Sequence, residues 1–231
     1  MFAVQRTPEW HKERRGKVTA SVAGAAIAVN RYQTPKALWK QLTGEVQFSG
    51  NFMTHYGTVN EPNGLVEYTI MSKNVVEPTG FHVHKDLPWL GGSPDGLIGK
   101  DGLVEVKCPF GHKKPMWEDD TIPLHYFVQV QVLMEVTNRK WCDLIAWRPE
   151  EQRVWRFERD TQFMQSILPA LANFHAMVAG NMSKACLLET VDEGMAAHCQ
   201  FHMQASMVEC PWAAGVKLQG RDPTYSELHL K

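Results

Sequence analysis

Three charged residues stand close together in the stretch SPDGLIGKDGLVEVKCPF, residues 93–110. If residues 99–102 form the turn of a hairpin, Asp95 and Glu105 lie on neighbouring strands and their carboxylates can face one point. Two converging carboxylates repel each other unless a cation lies between them, and Mg²⁺ or Mn²⁺ prefers carboxylate, carbonyl and water oxygens. The pair therefore predicts a hard divalent metal site, with the backbone carbonyl of Val106 as a further ligand.

Lys107 follows Glu105 by two residues, so on a strand both side chains project from the same face. An ammonium group there can orient an attacking water, help to deprotonate it, or neutralise charge on a phosphoryl oxygen. The alternative is an ordinary hairpin in which Asp95 caps a turn and Glu105 and Lys107 form a solvated surface pair. Spacing alone leaves both interpretations open.

Short β-prone runs separated by Gly, Pro and Asp surround these residues and predict a small, antiparallel-rich sheet. The predicted strands are 75–76, 81–84, 89–90, 96–98, 103–107, 140–147 and 152–157.

Helix signals occur on both sides of the predicted sheet. The predicted helices begin after the caps Thr7, Thr19, Thr34 and Asp160, and further helices are predicted at 51–72 and, by its length, at 124–136. Pro62 and Gly64 predict a kink or a restart within 51–72. We expect one domain over residues 1–180, followed by a C-terminal extension, 181–231, that packs on or near it and whose structure the sequence does not predict.

Composition limits the classes of function. The 231 residues are 44% hydrophobic, and 24 Lys+Arg against 25 Asp+Glu leave a net charge of -1, so any DNA affinity must come from local charge. No apolar run approaches the roughly 18 residues of a membrane span, and the charged start lacks a signal-peptide core. Five cysteines without a CxxC pair are typical of reduced thiols, so we expect a cytoplasmic protein without a membrane partner. A zinc site at His198, Cys199, His202 and Cys210 is only weakly indicated.

The spacing of Asp95, Glu105 and Lys107 resembles the PD-(D/E)XK nuclease core, and the full stretch is similar to the lambda-exonuclease (YqaJ-like) family of viral recombinase nucleases. The resemblance implies an α/β fold of the α+β mixed-sheet type, a restriction-endonuclease-like core with a central mixed β-sheet flanked by helices. It also implies Mg²⁺, for which Mn²⁺ can substitute, with two ions in each active site.

Three other segments resemble the same family. The N-terminal WHKERRGKVTAS, residues 10–21, implies that Arg14 and Ser21 contact the 5′ phosphate of a DNA end; alone, these basic residues are more typical of a solvated face. GTVNE, residues 57–61, implies that Glu61 is a third acidic residue for the metals, although Pro62 departs from the pattern. YFVQVQ, residues 126–131, implies that Gln129 lies next to the active site.

The activity implied by the resemblance is processive 5′–3′ digestion of one strand of linear double-stranded DNA, preferably from 5′-phosphorylated ends. The products are 5′-mononucleotides and a 3′ overhang, on which a single-strand annealing protein acts. The resemblance further implies a homotrimeric ring and a phage or prophage gene expressed in a bacterial host. Two alternatives remain: a structure- or sequence-specific endonuclease with the same metal core, and a non-catalytic DNA-end-binding accessory protein.

Overall fold

A computed structural model describes residues 4–47, 50–111 and 121–213. Its helices are α1 (Pro8–Arg14), α2 (Ala20–Ala26), α3 (Pro35–Leu42), α4 (Phe52–Ser72), α5 (Leu124–Thr137), α6 (Thr161–Val178) and α7 (Glu193–Ser206). Its strands are β1 (Val18–Thr19), β2 (Val76–Glu77), β3 (His82–Val83), β4 (Leu90–Gly92), β5 (Gly96–Ile98), β6 (Gly102–Lys107), β7 (Trp141–Arg148), β8 (Glu151–Glu158) and β9 (Met207–Val208).

The strands form two sheets. The larger has the order β2-β5-β6-β7-β8-β9, and the smaller has the order β1-β4-β3. In the larger sheet β6 pairs with β7 in parallel, and its other neighbouring strands pair antiparallel. Helices pack against these mixed sheets, so the predicted α/β fold class is confirmed.

Helix α5 forms the centre of the main hydrophobic core. Its residues from Phe127 to Met134 are all buried, in contact with α2, α6 and β7. The alternating valines of this segment resemble a strand, but a helix that is apolar all round is suited to burial on every side. The predicted helix at 124–136 is therefore confirmed.

Helix α4 packs over a second, smaller core that includes Val106 and Trp147. It passes through Pro62 as a single 21-residue helix, so the predicted restart is wrong. Gly64 explains why the helix comes so close to the sheet: a Cβ atom there would lie 2.6 Å from Val106 Cγ1 and 3.1 Å from Trp147 Cβ. The glycine is required by close packing rather than by a break in the helix.

The predicted helix caps are mostly confirmed. The side chains of Thr7, Thr34 and Asp160 accept hydrogen bonds from the backbone amides of Trp10, Ala37 and Phe163. Thr19 occupies the predicted N-cap position of α2, but its side chain makes no capping hydrogen bond. Its hydroxyl instead lies 3.2 Å from the hydroxyl of Ser21.

Residues 181–213 lie against the rest of the fold. Strand β9 pairs with β8 and thereby extends the larger sheet, and the Trp212 indole donates a 3.1 Å hydrogen bond to buried Asp143. The division at residue 180 stays a prediction, and residues 1–3, 48–49, 112–120 and 214–231 lie outside the described residues. None of the described helices combines the length and apolarity needed to cross a bilayer.

Candidate active site

The hairpin of β5 and β6 brings Asp95 and Glu105 together. Gly99 turns the chain with a positive φ of 51°, and the strands pair Gly96 with Val104. One further step of this antiparallel register sets Asp95, just before β5, opposite Glu105. The Asp95 carboxylate then accepts a 2.6 Å hydrogen bond from the backbone N–H of Val106.

The two carboxylate oxygens of Glu105 have different surroundings. Oε1 accepts hydrogen bonds from Lys107 Nζ at 2.6 Å and from Gln129 Nε2 at 2.5 Å. Glu105 is only 3% exposed, and its Oε2 is buried without a hydrogen-bond partner among the described residues. A buried carboxylate oxygen without a donor is costly, because its lost hydration is not replaced. This atom is suited to bind a cation.

Burial and neighbouring charge raise the pKa values of Asp95 and Glu105. Burial and then the charges of Glu105 and Glu61 raise the pKa of Asp95 well above 3.8. Burial also raises the pKa of Glu105, although the neighbouring Lys107 lowers it in part. A divalent cation would relieve this repulsion and favour the charged carboxylates.

Lys107 stays positively charged in this setting. Burial by itself lowers its pKa, but the charges of Glu105, Tyr126 and Asp95 raise it above the usual value. Its Nζ also lies 5.0 Å from the centre of the Tyr126 ring, so the ammonium group rests between a carboxylate and an aromatic face.

The donor set fits a hard divalent ion. Asp95 and Glu105 supply carboxylates, one of them with an unpartnered oxygen, and such ligands suit Mg²⁺ and Mn²⁺. Within the described ranges, no three His, Cys, Asp or Glu side chains are already gathered into a metal cage. A bound ion would therefore complete its coordination with backbone carbonyls, such as that of Val106, and with water.

Glu61 lies near this pair but is held by a residue that the sequence analysis did not single out. Its charge raises the pKa values of both Asp95 and Glu105, so it lies near both carboxylates. Its Oε2 accepts a short hydrogen bond from Arg6 Nη2. Nothing in the local sequence indicates this contact, because 55 residues separate the partners.

Arg14 and Ser21 lie together at the start of α2. Arg14 Nη2 is 3.4 Å from the hydroxyls of both Thr19 and Ser21, and its guanidinium stacks 4.1 Å from the Trp10 ring. Burial lowers the pKa of Arg14 to about 10. Among the described residues no carboxylate forms an ion pair with it, so neutral hydroxyl groups are its polar partners. A half-buried cation with such partners is prepared to bind an anion.

Trp10 connects this cluster to the hairpin. Its indole N–H donates a 2.8 Å hydrogen bond to the Ser93 hydroxyl, two residues before Asp95. The tryptophan of the N-terminal motif thus positions the cluster of Arg14 and Ser21 against the segment that carries Asp95, a role that the sequence analysis missed.

His125 is a further neighbour that sequence reasoning missed. Burial, and then the charges of Lys107 and Arg31, lower its pKa to about 4, so it is neutral near pH 7. It fits closely against α2, since a Cβ atom on Gly24 would lie 2.6 Å from His125 Cβ. This contact fixes the beginning of α5, and with it the adjacent Tyr126.

The histidines of the weakly indicated zinc site make other contacts. His202 Nδ1 is 2.6 Å from Asp160 Oδ2, and His198 Nε2 is 2.7 Å from the Ser166 hydroxyl. These contacts join α7 to the beginning of α6.

Comparison with solved structures supports the fold. Two crystal structures of LHK-Exo, an alkaline exonuclease from Laribacter hongkongensis, one of them in complex with dAMP, are 28% identical to this chain. They cover 75% of it and 93% of their own length, with TM-scores of 0.63 and 0.62. A phage-related exonuclease from Haemophilus somnus 129PT, 13% identical, covers 72% of this chain and 96% of its own, with a TM-score of 0.53, which shows likeness of fold alone.

Two curated proteins are similar in sequence, and both are uncharacterized. Protein R354 of Acanthamoeba polyphaga mimivirus is 26% identical over 83% of this chain, and YqaJ of Bacillus subtilis (strain 168) is 28% identical over 72%. The matches cover 36% and 54% of those proteins, so the chain spans about a third of one relative and about half of the other. The profile of the YqaJ-like viral recombinase domain matches residues 9–140, from α1 to the end of α5, which is more than half of the sequence. The chain belongs to the YqaJ-like viral recombinase family.

Proposed function

We propose that this chain is a Mg²⁺-dependent exonuclease that digests one strand of linear double-stranded DNA from 5′ to 3′. Membership of the viral recombinase family and similarity to an alkaline exonuclease support a nuclease. The observation that carries the proposal is the unpartnered, buried Oε2 of Glu105 beside Asp95. A structural hairpin has no use for such an atom, whereas a metal-dependent hydrolase requires it.

Asp95, Glu105 and the carbonyl of Val106 would hold the first ion, and Glu61 would contribute to a second. Bound Mg²⁺, or Mn²⁺ in its place, supplies Lewis acidity that lowers the pKa of water and offsets charge on the phosphate. The carboxylates must be charged to bind the ions. Without the ions, burial and the repulsion between carboxylates oppose this charged form.

Lys107 and Gln129 act on the reacting groups through their hydrogen bonds. Because Lys107 is protonated, it donates hydrogen bonds to the attacking water or to a phosphoryl oxygen instead of accepting the proton. Gln129 and Lys107 together fix Glu105 Oε1, so that the carboxylate cannot rotate freely. Water forms a bond to phosphorus as the P–O3′ bond breaks, and one proton of the water passes to the leaving 3′ oxygen, which becomes a 3′ hydroxyl. The new phosphate stays on the 5′ end of the shortened strand, so the nucleotide released in the next round carries a 5′ phosphate.

Arg14 and Ser21 would select DNA ends. Arg14 offers a charged fork and Ser21 a hydroxyl, and the terminal 5′ phosphate fits both. Because Trp10 connects this cluster to the segment before Asp95, binding the terminal phosphate would place the adjacent phosphodiester at the hairpin. Digestion from 5′ to 3′ follows from this order.

Processivity would come from enclosure of the DNA. We propose the homotrimeric ring around the duplex that the family resemblance implies, and a net charge of -1, which gives no bulk attraction to a polyanion, is compatible with it. Light scattering should then give about three times the chain mass of 26.2 kDa, and a monomer alone would refute the ring. The 3′ overhang would pass to a single-strand annealing protein of the same recombination system, in the cytoplasm of a bacterial host that carries the phage or prophage.

The proposal is tested by nucleotide release from three DNA substrates: linear duplex with 5′ phosphates, the same duplex with 5′ hydroxyls, and a covalently closed circle. We expect release of 5′-mononucleotides from the linear substrates in Mg²⁺ and none in EDTA, with the phosphorylated ends preferred and the circle spared. Asp95→Ala and Lys107→Ala should abolish release. Asp101→Asn is the matched control, because the side chain of this exposed residue of the same hairpin turn forms an ion pair with Lys140 at the surface.

The other outcomes identify the alternatives. Cutting of the closed circle would indicate an endonuclease, and binding to ends without nucleotide release would indicate an accessory protein. Unchanged digestion by Asp95→Ala would show that the hairpin is not the active site.

A further inference from the structure

The segment before α1 contacts the acidic centre, the group of carboxylates formed by Asp95, Glu105 and Glu61, at two points. Gln5 Nε2 donates a 2.9 Å hydrogen bond to the carbonyl of Pro94, immediately before Asp95. The next residue, Arg6, forms the ion pair with Glu61 on α4. Two consecutive side chains thus reach the two elements that carry Asp95 and Glu61.

The backbone of Arg6 supports the importance of this contact. Its φ is 69°, in the left-handed region that residues other than glycine rarely adopt. Such a conformation persists only where surrounding contacts hold it, and the neighbouring hydrogen bond of Gln5 and the Glu61 pair are those contacts.

Lys107 and Arg6, the two cations of the acidic centre, differ in how easily each can separate from its carboxylate partner. Lys107 and Glu105 form a buried pair, with side-chain exposures of 18% and 4%. Arg6 and Glu61 are more open to water, at 44% and 26%. Separating a solvated pair costs little, because water replaces the lost partner, whereas separating a buried pair leaves uncompensated charge. Lys107 is therefore a fixed cation and Arg6 an exchangeable one.

We propose that Arg6 is the counter-cation of Glu61 in the metal-free protein and that a divalent ion displaces it. The inference rests on the proposed metal-dependent nuclease function. Arg6 is then a positioning residue that holds Glu61 while no ion is bound and opposes the ion by its charge. The hydrogen bond of Gln5 to Pro94 keeps the segment in place after the guanidinium has left.

The test is a titration of the full chain with Mn²⁺, without DNA, in which electron paramagnetic resonance measures the free ion. We expect Arg6→Gln to bind Mn²⁺ about three- to fivefold more tightly than wild type, the range that loss of an exposed ion pair allows. Arg6→Lys, which keeps the charge, should stay near wild type. In a Glu61→Gln background the effect of Arg6→Gln should shrink to less than about twofold, because the pair no longer exists.

Unchanged or weaker Mn²⁺ binding by Arg6→Gln would overturn the inference, and weaker binding would show that Arg6 only orders Glu61. Asp95→Asn separates this failure from a failure of the proposed function. If Asp95→Asn loses Mn²⁺ while Arg6→Gln does not gain affinity, the metal site stands and the exchange is wrong. If wild type binds no Mn²⁺, or Asp95→Asn binds it equally well, the metal site itself is wrong and the exchange fails with it.

Discussion

Gln129 donates a 2.5 Å hydrogen bond to Glu105 Oε1, the same oxygen that accepts a hydrogen bond from the ammonium group of Lys107. One donor comes from helix α5 and the other from the same strand as Glu105, so the carboxylate is fixed from two directions. The second oxygen, Oε2, is left without a partner among the described residues. The hydrogen bonding of Glu105 thereby determines which of its atoms is available to a metal ion.

Gln129→Leu should weaken the metal site without unfolding the protein. Loss of one of the two donors frees Glu105 to rotate, and removal of such a supporting contact typically lowers metal affinity or activity by about 10- to 100-fold. Mn²⁺ binding and nucleotide release measure both quantities. Gln131→Leu is the control, because Gln131 bonds the backbone of Glu158 and Asp160 instead. That variant should lose stability and keep its Mn²⁺ affinity, and equal losses of affinity in both variants would contradict the assigned role.

Two glycines of helix α4 should respond in opposite ways to alanine. At Gly64 the new Cβ would meet Val106 Cγ1 at 2.6 Å, so overpacking should destabilise the protein by about 1–3 kcal/mol. At Gly57 the nearest atom is the Cys108 carbonyl oxygen at 3.8 Å, so alanine should stabilise the helix by up to about 1 kcal/mol. Denaturant unfolding measures both free energies. A stable Gly64→Ala variant would mean that α4 lies farther from β6.

The pH dependence of hydrolysis should depend on the Mg²⁺ concentration. Burial, followed by the charges of Glu105 and Glu61, raises the pKa of Asp95 well above 3.8, and the protonated acid is a poor metal ligand. At subsaturating Mg²⁺ the rate should therefore fall as the pH falls through this raised pKa, at a higher pH than an ordinary carboxyl would give. Saturating Mg²⁺ favours the charged form and should move the fall to lower pH. Rate profiles that coincide at both Mg²⁺ concentrations would contradict this account.

Asp95→Asn should stabilise the metal-free protein. Because the folded-state pKa of Asp95 is raised, the folded protein holds a proton that the unfolded chain has lost, so stability decreases as pH rises through this window. Asparagine removes that loss and keeps an acceptor for the Val106 amide. In EDTA at pH 8 we expect a gain of about 1 kcal/mol, or about 2–4 °C in Tm, that disappears below the unfolded-state pKa. Asp86→Asn, at an exposed surface pair, serves as the control, and a lower Tm for Asp95→Asn in EDTA would refute the repulsion.

The sequence predicts what local spacing determines. Asp95, the turn at Gly99 and Glu105 fall within eleven residues, so the hairpin and its register follow from turn chemistry and alternation. The position of Gln129 was predictable only from the family resemblance, because its contact with Glu105 spans 24 residues.

Contacts between distant segments were not predictable from local patterns. Arg6 meets Glu61 across 55 residues, and Trp10 meets Ser93 across 83. Only the tertiary fold brings these partners together. Thr19 differs from these cases, since its hydroxyl contacts the nearby Arg14 and Ser21 instead of forming the capping hydrogen bond that its type and position predict.

The central claim is that Asp95 and Glu105 bind the divalent ion of a hydrolytic site. An anomalous difference map from a crystal grown with Mn²⁺ locates that ion directly. We expect a peak in contact with Asp95 and with Oε2 of Glu105, and its absence from a crystal of Asp95→Asn. A wild-type map with no Mn²⁺ peak at these two carboxylates would contradict the claim.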